Sequence, residues 1–209
     1  DVSNNEVIFS GADSTSTYGI EADAGYGPHD IAIQANNNIV SGFEYGLILY
    51  QCETSCDTGF FTAASAVGNG LDGNTYAIYS NIASFTTNAS GNWLGSSDPA
   101  TVSGMVSSGV DYTPWLASGI DTAPGTIGFQ GDFATLWVDD NSAQAGATGR
   151  IQEAIALVSG STVNVAPGLY TERVVIDKPL SLLGATHSIN KNGYALPANY
   201  AWDTAVESV

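Results

Sequence analysis

The sequence predicts an all-β chain: a solenoid of short parallel strands with one short capping α-helix. Three observations carry this. Asn5, Asn37 and Asn69 recur at intervals of 32 residues, each before or beside a short apolar stretch (Val7-Ile8-Phe9, Ile39-Val40, Leu71). Two further landmarks recur in a fixed order, Tyr18-Gly19-Ile20, Tyr45-Gly46-Leu47 and Tyr76-Ala77-Ile78, then Ile31-Ala32-Ile33 and Phe60-Phe61-Thr62-Ala63. Helical periodicity is confined to one segment, 148–158, where Ile151, Ile155 and Leu157-Val158 fall near a 3.6-residue repeat.

The elements follow in order. Between the landmarks of the first half lie Gly, Asp, Ser and Asn, so each repeat reads as strands of a few residues broken by tight turns. Alternate strand residues point inward and stack on the next coil, which requires the Ile, Val, Leu, Phe and Ala found there. Asparagine at a repeated turn tolerates left-handed backbone and can bond the asparagine above and below it in a ladder. An antiparallel sandwich would instead show two-residue hairpin signals, which are few. Residues 117–135, rich in Gly, Ala and Thr, read as an extended connector able to lay a strand against a neighbour. Thr148 is placed to cap the helix and Gly160 to end it. Val163, Val165, Val175, Ile176, Leu180 and Leu182 then mark three short strands with corners at Pro167-Gly168 and Lys178-Pro179. Residues 186–209 read as a polar loop anchored by Tyr194, Tyr200 and Trp202, ending in the start of another strand at Val206–Val209.

Composition narrows the function. Four Lys and Arg stand against 21 Asp and Glu, a formal net charge of -17. Such a surface repels phosphate backbones and anionic membranes, so no nucleic-acid partner is expected. Only Arg150, Arg173, Lys178 and Lys191 are available to meet a uronate. Clustered carboxylates suit solubility in salt, with calcium a possible cofactor. No apolar run is long enough to span a bilayer. Cys52 and Cys56, four apart in a polar loop, are spaced to close a small disulfide ring, which places the chain in an oxidising, extracellular or cell-surface setting. Zinc is disfavoured because neither His29 nor His187 lies at ligand spacing. Asn88-Ala-Ser is a glycosylation candidate. The polar start at Asp1 is that expected of a processed or excised segment.

Two resemblances refine the fold. Ala89-Ser-Gly-Asn-Trp-Leu-Gly95, then Ser-Ser-Asp-Pro, then Val110-Asp-Tyr-Thr-Pro-Trp-Leu116, resembles a motif that ends many right-handed parallel β-helix proteins of the pectin lyase-like type; Leu94 stands where a second Trp is more common. The resemblance implies that Trp93 and Trp115 plug the end of the solenoid. The helix at 148–158 followed by Thr162-Val-Asn-Val-Ala-Pro-Gly-Leu-Tyr170 and Ile176-Asp-Lys-Pro-Leu-Ser-Leu-Leu-Gly-Ala185 resembles the opening of pectin methylesterase-like β-helices. There it implies that the helix, through Ile151 and Ile155, stops the N-terminal mouth. The chain therefore divides into closing coils (1–116), a connector (117–135) and a capping helix with opening coils (136–209): the end is written before the beginning.

The families resembled include lyases, hydrolases and esterases, and their residue sets are incomplete. No Arg lies in 1–149, no Gly-His-Gly occurs, and Asp139-Asp140-Asn141 and His29-Asp30 read as turns. The expectation is a non-enzymatic, self-assembling extracellular β-helix subunit that joins copies of itself head to tail, or in tandem, in a filament, sheath or surface layer. The alternative is a fragment of a carbohydrate-binding or carbohydrate-cleaving β-helix, with a glycan held on Tyr18, Tyr45, Tyr50 and Tyr76. A third arrangement closes 136–209 onto 1–95 of the same chain.

Overall fold

The computed structural model describes residues 1–24, 30–52, 59–160 and 162–185, and these form a right-handed parallel β-helix of about five turns with the opening of a second stack built against its end. Each coil offers three strand positions. The first position makes the sheet β1 (Val2–Ser3), β4 (Ile31–Asn36), β7 (Phe61–Val67), β9 (Thr87–Asn88) and β10 (Val110–Asp111), all parallel and in that spatial order. At the second position β2 (Glu6–Ile8) pairs with β5 (Ile39–Ser41), and the row continues through single bridges at Gly70 and Trp93. It reaches β11 (Trp115–Leu116), where Leu116 N–H donates to the Asn92 carbonyl at 2.9 Å. The third position stacks β3 (Tyr18–Ala24), β6 (Tyr45–Gln51) and β8 (Tyr76–Ser80). Inward residues share register across coils: Val7 lies beside Val40, and Ile20, Leu47 and Ile78 form one stack. Val40, Leu47, Leu71, Ile78, Leu94 and Trp115 are the buried heart of this solenoid.

The asparagine ladder exists, with one member changed. It runs Asn5–Asn38–Asn69–Asn92, each Nδ2 donating to the next Oδ1 at 2.9 Å. The same oxygens accept the backbone N–H of Asn5, Asn38 and Asn69 at 3.0, 2.8 and 2.8 Å. Asn37, which the 32-residue interval selects, is instead the left-handed residue just before the rung, with φ +55°. Asn4 (φ +58°), Gly68 (φ +69°) and Gly91 (φ +74°) hold the equivalent place before Asn5, Asn69 and Asn92. The repeated unit is thus a left-handed residue followed by an asparagine. Its spacing varies because the coils differ in loop length, which a constant interval cannot capture.

The second stack starts with a reversal. β12 (Thr135–Val138) pairs antiparallel with β11, placing Trp137 opposite Trp115 with the rings stacked at 6.2 Å. β13 (Thr162–Val165) and β14 (Ser181–Gly184) then follow β12 in parallel. The predicted middle strand at Val175-Ile176 is not formed: both residues are exposed and carry no ladder. Among the described residues there are two helices rather than one. α1 (Pro99–Ser103) is a single turn, capped by Asp98, whose Oδ2 accepts Thr101 N–H at 3.0 Å, with proline in the first turn. α2 (Arg150–Leu157) buries Ile151, Ala154 and Ile155 against β12 and β13. Its N-cap is Gly149, not Thr148; the free N–H groups of Ile151 and Gln152 donate to the two Glu172 oxygens, each at 3.0 Å.

The connector 117–135 lies against its own solenoid. It folds back as a strap over the asparagine turns of its own solenoid, closed on itself by Thr122 N–H donating to the Gln130 carbonyl at 2.7 Å. Phe129 N–H donates to the Asn37 carbonyl at 2.8 Å, and its ring lies over Gly70, where a Cβ would meet it at 3.0 Å. Gly128 (φ +84°) packs so closely that a Cβ would sit 2.6 Å from Asn4 Cα. The strap therefore spans the row from the last coil back to the first. Among the described residues no helix is long and apolar enough to cross a membrane.

Candidate functional site

Three places combine exposed or strained chemistry. The first is the pair of coil faces at the two ends of the described residues. In the first coil the inward residues Val7 and Ile20 are half-buried, whereas their register partners Val40 and Leu47 are 0% and 1% exposed. Beside them Ile8 and Tyr18 are exposed. The ladder is directional here. Every interior Oδ1 receives two N–H groups from the coil before it, and the exposed Asn5 is the rung at the outer edge of β1, β2 and β3. At the opposite end the same gradient recurs: Leu136 and Val163 are buried while Leu182, in register with Val163, is half-buried. β2 and β14 lie at the two extremes of one continuous row, so among the described residues the opening stack does not close onto the first coil.

The second place is the joint between the stacks. Asp111 on β10 is fully buried. Its Oδ2 accepts Ala145 N–H at 2.6 Å and lies 3.4 Å from Gln144 Nε2; its Oδ1 lies 3.2 Å from Ser142 Oγ. Gln144 Nε2 is also 3.4 Å from Glu153 Oε2 on α2, so one amide bridges two carboxylates from opposite sides of the joint. Ser90 of the first solenoid lies 2.6 Å from Glu153 Oε1. Burial pushes the Asp111 carboxyl above its ordinary value, against the pull of its hydrogen bonds and of Arg150. Glu153 is raised too, first by burial, with the Asp111 charge adding to it. Gln144 Oε1 and Arg150 Nε are buried without a hydrogen-bond partner.

The third place is the outer face of the β3–β6–β8 sheet. Tyr18, Tyr45 and Tyr76 share one register row, with ring centroids 5.7 and 5.1 Å apart, and Tyr79 meets Tyr45 edge-on at 5.6 Å. Tyr45 and Tyr76 stack face to face at 12°, each covering one face of the other. Burial, reinforced by Glu44, raises the Tyr45 phenol above its ordinary value. Next to the row lies a groove of about 310 Å³ lined by Tyr18, Glu21, Asp23, Tyr45, Ile48, Tyr50 and Tyr79.

The sequence-selected residues distribute as follows. Trp115 is wholly buried and stacks on Trp137 at the joint. Trp93 is half-buried, bridges Gly70 and packs with the second stack's core. Ile151 and Ile155 lie in that same core. Asn88 sits within β9, paired on both sides, with Oδ1 accepting Ser90 N–H at 3.0 Å. Cys52 follows β6; Cys56, His29 and His187 lie outside the described residues. Asp139 and Asp140 hold turns: Asp139 Oδ1 accepts Asn141 N–H at 3.0 Å and Asp140 Oδ2 accepts Leu169 N–H at 2.7 Å. Asp30 Oδ1 accepts Phe60 N–H at 3.2 Å, linking two coils. Among the described residues no three His, Cys, Asp or Glu side chains converge as a metal site. Asp111 and Glu153 escaped sequence reasoning because nothing in a lone Asp and a lone Glu reveals that a chain reversal will bury them together. Comparison with protein-family models, with curated proteins and with solved structures finds no match to this chain.

Proposed function

We propose that the chain is a structural unit of a longer extracellular β-helix of the pectin lyase-like type, which adds to copies of itself coil on coil, as a head-to-tail assembly or as tandem repeats. The observation that carries this is the burial gradient: inward positions that are fully buried in the interior coils are half-buried in β2, β3 and β14. A further coil stacked in parallel register removes that apolar area from water and supplies the two N–H groups that each interior ladder oxygen receives. A contact of this kind joins different surfaces on successive units and does not close on itself, so it propagates. In this reading the reversal at β11 and β12 lets one unit end a solenoid and begin the next, and the Cys52–Cys56 pair is a disulfide of the oxidising exterior.

Sedimentation velocity and electron microscopy over a range of concentration and ionic strength test the non-covalent form. The expected result is concentration-dependent rods, abolished by Val7→Lys, with the variant keeping the wild-type circular dichroism spectrum. The tandem form predicts that a polypeptide carrying two copies melts at a higher temperature than one. Monodisperse single copies under all conditions, together with an unchanged melting temperature for the double copy, would end the proposal. Mass spectrometry after alkylation, with and without reductant, checks the disulfide.

A further inference from the structure

We propose that the groove on the outer face of the β3–β6–β8 sheet binds an alkylammonium group, the side chain of a lysine on a polypeptide partner. The register builds the groove. Ile48 forms its floor, flanked in its own row by Glu21 on one side and Tyr79 on the other, and Tyr50 stands beside Asp23. An apolar floor between tyrosine walls suits a methylene stem, and carboxylates at one edge suit a charged head.

Two observations point to a cation. Asp23 lines the groove, and its Oδ1 accepts no hydrogen bond in the structure. Among the described residues the groove's lining carries two carboxylates, Glu21 and Asp23, and no Lys, Arg or His. An ammonium supplies three donors and a full charge, satisfying Asp23 while its stem lies against the rings. A neutral sugar would leave the two carboxylates of the lining without a counter-charge. The partner must bring the lysine, since the chain holds only two, Lys178 and Lys191, both remote in sequence from this sheet.

The test is a titration of the folded chain, with its tyrosine ring resonances followed by nuclear magnetic resonance. The probes are Nα-acetyl-lysine N-methylamide, its norleucine counterpart (the same stem, no charge) and the neutral, fully N-acetylated form of chitotetraose. The lysine probe is expected to shift the Tyr45, Tyr50 and Tyr79 rings saturably, and the norleucine probe to leave them unmoved. Asp23→Asn and Tyr50→Ala, both on the outer face, are each expected to weaken the lysine probe about fivefold or more. Unaltered binding by both variants would overturn the proposal, because a diffuse attraction to a chain of net charge -17 needs neither residue. Ring shifts with chitotetraose but not with the lysine probe would overturn it in favour of a glycan.

Discussion

At the scale of single residues the fold rests on a two-residue device: a left-handed position followed by an asparagine whose amide serves the coil on either side. Asn69 is fully buried, accepts two N–H groups from Asn38, and donates to Asn92 Oδ1 and the Ala35 carbonyl at 2.9 Å. Asn69→Ala leaves those Asn38 donors without an acceptor, and a buried unsatisfied donor costs about 1–3 kcal/mol. A loss of roughly 3 kcal/mol or more in chemical denaturation is therefore expected. Asn5 stands exposed at the outer rung, so Asn5→Ala is expected to change monomer stability by less than about 1 kcal/mol. Equal costs at the two rungs would mean that the ladder is not what distinguishes them. The sequence showed asparagines in turns clearly enough, but an interval of 32 residues chose Asn37 over Asn38. Only the backbone twist, left-handed at one and not at the other, separates two adjacent asparagines.

At the scale of elements, the joint couples β10, the loop after β12 and α2 through two carboxyl groups, Asp111 and Glu153. Asp111 and Glu153 have folded values raised above those of an unfolded chain, chiefly by burial. Their contribution is then fully present below the unfolded carboxylate range near pH 4 and is lost as pH rises through the raised folded values. Within that window each group contributes at most about 1.4 kcal/mol per pH unit, and less for the half-exposed Glu153, where water screens the charge. Protonation also gives the cluster a donor for the unpartnered Gln144 Oε1. Melting temperature followed from mildly acidic to neutral pH is expected to fall, and the double change Asp111→Asn with Glu153→Gln to flatten that fall. An unchanged slope would show that the pH dependence arises elsewhere. The strap makes a separate claim at this scale: Phe129 is 3% exposed, so Phe129→Ala is expected to cost about 3–5 kcal/mol. Strands and α2 were legible because apolar period is a local signal. The strap was not, since residues 117–135 have turn composition and fold back through contacts distant in sequence, among them Asn4, Asn37 and Gly70. Val175 and Ile176 misled for the opposite reason: two β-branched residues in sequence imitate a strand even where no neighbouring strand pairs with them.

For the whole molecule, motif order predicts an ending before an opening, and the structure shows an antiparallel step between β11 and β12 in an otherwise parallel row. Half-buried apolar coil faces lie at the two extremes of the described residues, in a chain with 21 acidic and four basic residues. Two forces then act on any pair of copies. Burial of a coil face attracts them at about 25 cal/mol per Å² and is not weakened by salt. The net charge of -17 repels them over the Debye length, about 10 Å at 0.1 M ionic strength and about 3 Å at 1 M. A coil-on-coil joint brings surfaces within about 5 Å, so raising salt from 0.1 to 1 M removes most of the repulsion and leaves the attraction. Association measured by sedimentation is accordingly expected to strengthen with sodium chloride, and calcium to be no more effective than sodium once ionic strength is matched. Weaker association in high salt would mean that complementary charges, not apolar coils, hold the units together. A calcium effect beyond ionic strength would mean that carboxylates of neighbouring copies share a cation.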